Sequence, residues 1–563
     1  MRARRIHRDI FHRMVKVGQA SLGEDGRVVQ EMRDYEGVKK VLENAAECAQ
    51  LDQRQAERVR PHTKELMRQR LELLQQRLPG AAAVLGREIR RQLKADLEAH
   101  RFELFRRVVT ECNSLRRVQA ETAIGRKRIC QIRRREGEPV ETSVQALSAA
   151  VKDYYDKLYT SRVQVPFHPK TESDECPKFL EAELREALKT MQTGKAPGDD
   201  GITVEMLKAA QETLLPILTG MLNRYLEEGR IDNNLANSST LLLPKKGDLT
   251  LLSNYRPISL LSSIAKLFTR TLCNRIKATM EHEQGEEQAG FRAGFSTIEH
   301  IATLCELIER CREFRVPLYI CFVDFEKAFD SVELNALWRS MQCQGVHPQL
   351  IRLLQSIYTQ AKNVVRINAD QRVEVKIERG VRQGDPISPM LFNAALEDIF
   401  RRLDWHDGGI NIDGDHLTHL RFADDIVIIS TNMAEIQTRL RELSVMAAKS
   451  GLKINEAKTE WLSNQQEDPP PALTLNGKEI KRANNFVYLG RQVSSPQNLP
   501  GELARRVRAG WFAFSKLSSY LTARRVPMKH KRYLFNMCIL PAMLYACETW
   551  APRESDLTIM EIA

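Results

Sequence analysis

LRFADDIVIIS, residues 420–430, decides the fold. Strand-forming residues stand on both sides of Ala423-Asp424-Asp425. Two such runs joined by a tight turn read as a β-hairpin, here one that presents adjacent carboxylates. Paired aspartates in a turn are common, so the surroundings carry the argument. Upstream, YICFVD (319–324) is an unbroken apolar run ending in an acid. It reads as a buried strand that leaves Asp324 where the chain emerges. Ser331 is placed to cap a following helix in which Leu334, Leu337, Trp338 and Met341 recur at helical spacing. After the hairpin, Asn432 and Glu435 predict another helix start, with Ile436, Leu440 and Leu443 on one face and a stop at Gly451. Strand–helix followed by hairpin–helix is the order of a split ferredoxin-like unit, which sets the Asp324 strand beside the hairpin.

Two separate acids brought together suit one chemistry well. Nucleotidyl transfer develops charge on the attacking 3′ oxygen and on the leaving pyrophosphate. Two Mg²⁺ ions about 3.5–4 Å apart stabilise both, and hard carboxylates are the ligands Mg²⁺ prefers.

The rest of the chain agrees with a nucleic-acid enzyme. It has 563 residues, 42% hydrophobic and 28% charged, with room for several domains and a sizeable core. A formal net charge of +12 favours a polyanionic partner, although basic balance alone is weak evidence. The 11 cysteines form no CxxC pair and have no regular histidine spacing. They read as free thiols in a reducing, intracellular compartment, nuclear or cytoplasmic, and not as a zinc site or disulfide framework. The basic start MRARRIHRD is followed by no apolar signal-peptide core, and no apolar run is long enough to span a membrane.

Compositional texture divides the chain. Residues 1–140 are rich in Arg, Glu, Gln and Leu, with Leu66, Leu73, Leu74, Ile89, Leu93 and Leu97 at helical spacing. This zone reads as a basic helical extension. Its clusters Arg2-Ala-Arg4-Arg5, Gly125-Arg-Lys-Arg128 and Arg133-Arg134-Arg135 are either solvated helix faces or sites of nucleic-acid contact or nuclear import. From 141 to 494, short apolar runs alternate with amphipathic helices. The stretch 495–563 returns to basic helical patterning, and Pro469-Pro470-Pro471 reads as a short linker.

Several motifs in order carry a family resemblance. VDFEKAFDSV, GVRQGDPISPMLFN, FADD, GLKINEAKTEWL and FVYLG resemble reverse-transcriptase motifs A to E. Upstream, GKAPGDDGI (194–202), LPKKGD (243–248), NYRPISLLSSIAKLFTRTL (254–272) and QAGFRAGFST (288–297) resemble the fingers motifs of non-LTR (LINE-type) retrotransposons. The tail YLFNMCILPAMLYACETW is similar to the RTE-like group. The resemblance covers roughly residues 150–550.

It implies an α+β, right-hand polymerase with a ferredoxin-like palm, mixed fingers, a helical thumb and a helical N-terminal extension. The implied domains are 1–140 (basic extension), 141–225 (N-terminal fingers extension), 226–494 (fingers and palm) and 495–563 (thumb or connection, truncated). It implies an RNA-directed DNA polymerase acting on an RNA template, a DNA primer or target DNA, and dNTPs. Its cofactor would be two Mg²⁺, with Mn²⁺ as a substitute. Asp324 and Asp424 would hold both metals, the Phe325 backbone carbonyl would complete one shell, and Asp425 would lie nearby. Lys458 matches the motif D lysine that protonates or neutralises the departing pyrophosphate; a lone loop lysine is otherwise just solvated.

Phe329 matches the steric gate that excludes a 2′-OH and so selects dNTPs, the alternative being a core ring. An RNA-dependent RNA polymerase would carry a small or acidic residue there and Gly-Asp-Asp in the hairpin. Gln383-Gly384 resembles the element beneath the templating pair, and Pro386 and Pro389 open a helix with Phe392, Leu396 and Ile399 inward. Lys245, Lys246 and Arg256 match the triphosphate clamp, where a bidentate arginine is apt. Phe486, Tyr488 and Gly490 would form the primer grip, or are ordinary strand residues. Neither nuclease usual to LINE-type proteins is recognisable, which leaves a second expectation: a catalytically idle nucleic-acid-binding relic of a mobile element.

Overall fold

In the computed structural model, the apolar run before Asp324 becomes strand β3 (Tyr319–Val323), buried at every position. A strand covered on both faces must be apolar throughout, which explains the unbroken run. The structure describes His12, Val15 and residues 34–48, 59–76, 78–110, 129–134, 137–170, 174–245, 247–368, 371–465, 472–524 and 526–562. Lys246, Arg2-Ala-Arg4-Arg5, Gly125-Arg-Lys-Arg128, Arg135 and Pro469-Pro470-Pro471 lie outside the described residues. Among the described residues, no helix is long and apolar enough to cross a membrane.

Contacts divide the chain into two units. The first comprises residues 1–51, 128–489 and 494–496, the second residues 52–127, 490–493 and 497–563.

Two sheets organise the first unit. One is built from β1 (Ser238–Pro244), β2 (Tyr255–Leu261), β4 (Asn363–Arg366) and β5 (Arg372–Val375), in the order β2-β1-β4-β5. Strands β1 and β4 run parallel, while β1–β2 and β4–β5 are antiparallel. Its apolar residues pack against the helix Val144–Tyr159 through Leu147, Val151, Tyr155, Val365 and Val375.

A short hairpin, β6 (Ile410–Ile412) with β7 (Asp415–Leu417), precedes the remaining strands. The second sheet contains β3, β8 (His419–Phe422), β9 (Asp425–Ser430), β10 (Glu460–Ser463), β11 (Leu473–Leu475) and β12 (Lys478–Arg482). Its order is β11-β12-β10-β3-β9-β8, antiparallel except for the β10–β12 pair. Helices Leu334–Cys343, Ser388–Phe400 and Met433–Ala448 share its core, to which Trp338, Phe392, Leu396, Leu440, Leu443 and Trp461 contribute. The expected strand–helix, hairpin–helix order is present, with β3 hydrogen-bonded directly to β9. The fold is α+β, with an antiparallel-dominated palm and a mixed sheet beside it.

Helix starts show where local reading held and where it did not. Asn432 caps Met433–Ala448 by accepting from the Ala434 N–H at 2.8 Å. Glu435 does not reach back to Asn432; it bonds the Ser430 hydroxyl and accepts from the Gly409 N–H at 3.0 Å. Ser331 does not cap the helix after β3. It lies in the short helix Ala328–Ser331, its hydroxyl donates to the Glu326 carbonyl, and Leu334–Cys343 begins after Glu333. The Glu333 carboxylate is buried and accepts from the Ser161 hydroxyl and the N–H groups of Arg162 and Val163.

The second unit is helical. Pro61–Gln75, Pro79–Thr110 and Leu499–Leu521 are its longest elements. Tyr520 packs between Phe102 and Phe105, with ring centroids at 4.9 and 5.5 Å, beside Leu104, Leu517 and Leu534. Glu502 is buried and holds Arg505 and Arg506, so part of the basic run 505–508 is engaged within this unit.

Candidate active site

The β8–β9 register pairs Phe422 with Asp425, leaving Ala423 and Asp424 as a two-residue turn. Ala423 adopts φ +56°, the left-handed region that tight hairpins require and that glycine takes most readily. In β3 and β9, Val323 pairs with Ile426, so Asp324 leaves its strand at the level of Asp425. The acids from two separate segments therefore meet at one end of the palm sheet.

Loop 451–459 closes the site from the other side. The Asn455 N–H donates to the Asp324 carbonyl at 2.7 Å, and Phe325 bridges Ile454. This places Lys458 Nζ 3.2 Å from Asp324 Oδ2, an oxygen that is buried and accepts no hydrogen bond. Desolvation, then repulsion from Asp324, raises the Asp424 carboxyl, with Lys458 opposing. Desolvation followed by repulsion from Asp424 and Asp324 pushes Asp425 up to about 6. Among the described residues, no three His, Cys, Asp or Glu side chains are drawn into a ready-made metal cage. The carboxylates repel one another, and a lysine meets the innermost oxygen. Their fit to a divalent cation lies in this unmet demand for positive charge and in their hard oxygen donors.

The loop after β3 is hydrogen-bonded to the loop 380–384. The Gly380 N–H donates to the Val332 carbonyl and the Val381 N–H to the Phe329 carbonyl, each at 2.7 Å. Gly384 has φ +114°, and a Cβ there would lie 2.8 Å from the Ser259 carbonyl oxygen. Gln383 donates from Nε2 to Asp330 Oδ1 at 2.9 Å, while its carbonyl accepts from the Ser259 N–H at 2.8 Å. Asp330 is buried, and desolvation pushes it up to about 6 against the pull of Gln383, Lys327 and Lys245. Phe329 stacks on Phe392 at 4.4 Å and meets Phe291 edge-on at 6.1 Å. That ring is half-buried and not enclosed in the core.

The cations sit at the end of the mixed sheet. Arg256 pairs across from Leu243, and the Lys245 N–H donates to the Asn254 carbonyl at 2.7 Å. Both side chains are exposed. Desolvation, then repulsion from Arg256, lowers the Lys245 ammonium, while Asp330 and Asp324 act in the opposite sense. Lys245, Arg256, Asp324, Asp330 and Lys458 thus belong to one electrostatic neighbourhood.

Of the residues expected at the primer grip, Phe486 and Tyr488 pack on Phe322 of β3, with centroids at 4.1 and 5.7 Å. The Tyr488 hydroxyl also lies 3.3 Å from His300 Nδ1. Gly490 belongs to the second unit.

Residues 243–493 match the family described as reverse transcriptase (RNA-dependent DNA polymerase). This stretch is similar to reverse transcriptase domains. The Asp324 strand, the Asp424 hairpin and the loop 380–384 fall inside its limits. Curated relatives are proteins of non-LTR retrotransposons. An uncharacterised 149 kDa protein of transposon TX1 from Xenopus laevis is 27% identical over 70% of this chain and 32% of its own length. The Pol polyprotein of retrotransposable element R2 from Popillia japonica is 30% identical over 48% of this chain and 37% of its own. The RNA-directed DNA polymerase of mobile element jockey from Drosophila funebris is 24% identical over 73% of this chain and 45% of its own. The chain thus spans about a third to a half of the length of these relatives. The family uses divalent metal ions.

Two residues of this site escaped the sequence reading. Asp330 and Lys327 stand inside the motif that was recognised, yet nothing local shows that Asp330 holds Gln383. Lys327 lies over the Tyr154 ring, 4.4 Å from its centroid, and burial lowers its ammonium to about 8. That partner comes from the distant helix Val144–Tyr159, so no local spacing could reveal it.

Proposed function

We propose that this chain is an RNA-directed DNA polymerase of a non-LTR retrotransposon, extending a DNA 3′ end on an RNA template with dNTPs. The observation that carries this reading is the meeting of Asp324, at the end of β3, with Asp424 and Asp425 at the β8–β9 turn, opposite Lys458.

Two Mg²⁺ ions, with Mn²⁺ as a substitute, would be held by Asp324, Asp424, Asp425 and the Phe325 carbonyl. When bound, they would supply charge for the attacking and leaving oxygens. The chain's own residues do the rest. Lys458 exchanges its ion pair with Asp324 for the departing phosphate, to which it offers a proton or a charge. Lys245 and Arg256, with Lys246, receive the triphosphate through charge-assisted hydrogen bonds. Phe329, fixed by its stack on Phe392, bars a ribose 2′-OH and so selects dNTPs. Asp330 orients Gln383, and Gly384 lets the nascent pair approach the backbone. Phe486, Tyr488 and Gly490 hold the primer strand.

In this reading, residues 226–494 serve as fingers and palm, 141–225 as a fingers extension, 495–563 as thumb or connection, and 1–140 as a basic extension. The test is primer extension on poly(rA)/oligo(dT) with dTTP and Mg²⁺. Incorporation by the unaltered chain, lost in Asp424→Asn, is the expected result; incorporation that survives this substitution overturns the assignment.

A further inference from the structure

Strand β8 is the edge of the palm sheet, and an edge strand has backbone groups to satisfy. The segment Glu287–Gly290 satisfies them. It runs parallel to β8: the Arg421 N–H donates to the Glu287 carbonyl at 2.8 Å, and the Ala289 N–H donates to the Arg421 carbonyl at 3.0 Å. Within it, the Gln288 side chain is fully buried. Its Oε1 accepts two hydrogen bonds, from the Ala423 N–H at 2.9 Å and from the Gly290 N–H at 2.8 Å. Both neighbours are donors, so the amide must turn its oxygen toward them. Its Nε2 is left buried without a hydrogen-bond partner, a cost accepted only where the oxygen's two bonds matter.

The contact leaves no room for variation. A Cβ on Gly290 would lie 2.3 Å from the Ala423 nitrogen and 2.9 Å from the Phe422 carbonyl carbon. Asn393 Nδ2 donates to the Gly290 carbonyl at 2.7 Å, tying the segment to helix Ser388–Phe400. The residue so gripped, Ala423, is the one with φ +56°. Glycine would enter that conformation freely, whereas alanine must be held in it.

We infer that Gln288 is a positioning residue for Asp424. Its amide oxygen locks Ala423 in the left-handed conformation and thereby sets the direction in which the next side chain leaves the turn. This rests on the polymerase reading, because it concerns how the proposed metal-binding carboxylate is aimed. It goes beyond a role in folding, since what distinguishes it is whether the turn at Ala423 is held in its left-handed conformation.

The test uses the full chain with Gln288→Met, which keeps volume and removes the acceptor, Ala423→Gly, which removes the strain, and the double variant. Mn²⁺ binding is followed by electron paramagnetic resonance, with thermal melting and primer extension alongside. Gln288→Met should weaken Mn²⁺ binding and slow turnover about 10- to 100-fold, the range for groups that orient metal ligands. KM for dTTP should stay near the unaltered value, while the melting temperature of the metal-free protein falls by a few degrees because two buried N–H groups lose their acceptor, a loss that Ala423→Gly does not restore. Ala423→Gly alone should bind as the unaltered chain does, and the double variant should recover at least about 10-fold over Gln288→Met, a gain a merely structural loss would not give. Unchanged Mn²⁺ binding in Gln288→Met, or a loss that Ala423→Gly does not relieve, overturns the inference. Mn²⁺ binding reads out whether or not the chain polymerises. Incorporation that survives Asp424→Asn would instead defeat the polymerase reading.

Discussion

Two carboxylates of the first unit, the exposed Asp425 and the buried Asp330, are both pushed up to about 6, yet their surroundings differ. Around Asp425 the further influences are other acids: Asp424 and Asp324 repel it, and Lys458 alone opposes them. Around Asp330 the further influences are the protein's own donors and cations: Gln383, Lys327 and Lys245. Clustered acids leave a demand for positive charge that the chain does not meet, which suits an external cation. An acid that already has its donor suits the placement of that donor. The same pKa thus accompanies two different tasks, and substitutions should separate them.

The largest separation concerns the hairpin acids. Asp424→Asn keeps the shape of the turn and removes a charge from the proposed metal site. A loss of several kcal/mol in transition-state stabilisation corresponds to about 10³-fold or more in turnover. Primer extension under saturating dTTP measures it. Loss of less than about tenfold would mean that this cluster is not the reacting centre.

Phe329→Ala acts on the Asp330 side of the site and should leave turnover with dNTPs within a few-fold. Discrimination against rNTPs should fall by about 10²-fold, the scale on which a pocket rejects one extra hydroxyl by shape. Comparing kcat/KM for dTTP and UTP reads this directly. Unchanged discrimination would make the ring part of the core with Phe392, the alternative reading of its position.

The two tasks were unequally legible in the sequence. The hairpin acids were visible because every contributing signal is local: apolar runs, a two-residue turn and an acid at a strand end. Their meeting was also predictable, because the strand–helix, hairpin–helix order leaves β3 few neighbours. The Asp330 side of the site was only partly visible. Phe329, Gln383 and Gly384 stood in recognisable motifs, but the bond from Gln383 to Asp330 depends on how two loops pack. Tyr154 over Lys327, and Gln288 beneath Ala423, depend on tertiary contacts between distant segments. Ser331 failed as a helix cap for the same reason. Glu333 occupies the boundary because Ser161, Arg162 and Val163 bind its carboxylate from far upstream. In residues 1–140, the helical spacing correctly marked Pro61–Gln75 and Pro79–Thr110. It gave no sign that Tyr35, Val38 and Leu42 belong to the core of the first unit.

Asp330→Asn should divide stability from activity. A carboxyl whose folded pKa lies above its unfolded value of 3.8 holds its proton more tightly when folded. Its contribution to stability is therefore greatest below that value and is lost as pH rises toward about 6. The asparagine variant escapes this loss, so it should gain roughly 2 to 3 kcal/mol on the unaltered chain between acid and neutral pH. It should also polymerise several-fold more slowly, because a neutral acceptor holds Gln383 less firmly. Melting curves at pH 4, 6 and 8 test the first point. A parallel shift of both proteins at every pH would refute it.

The smallest effect is the most direct measure of the contrast between the two acids. Mg²⁺ at about ten times its dissociation constant should stabilise the folded chain by roughly 1.4 kcal/mol, provided it binds only the folded state. The sign with pH follows from Asp425: below about 6 its carboxyl is protonated and gives up its claim on the cation. The Mg²⁺ increment in melting temperature should therefore be full at pH 8 and shrink at pH 5.5. Asp330→Asn should leave this increment and its pH dependence intact, because Asp330 serves Gln383 and not the metal. Asp425→Asn should reduce it at pH 8 and flatten its pH dependence. An increment lost in Asp330→Asn but kept in Asp425→Asn would reverse the two roles, and with them the rule that clustered acids await a cation while a partnered one positions its partner.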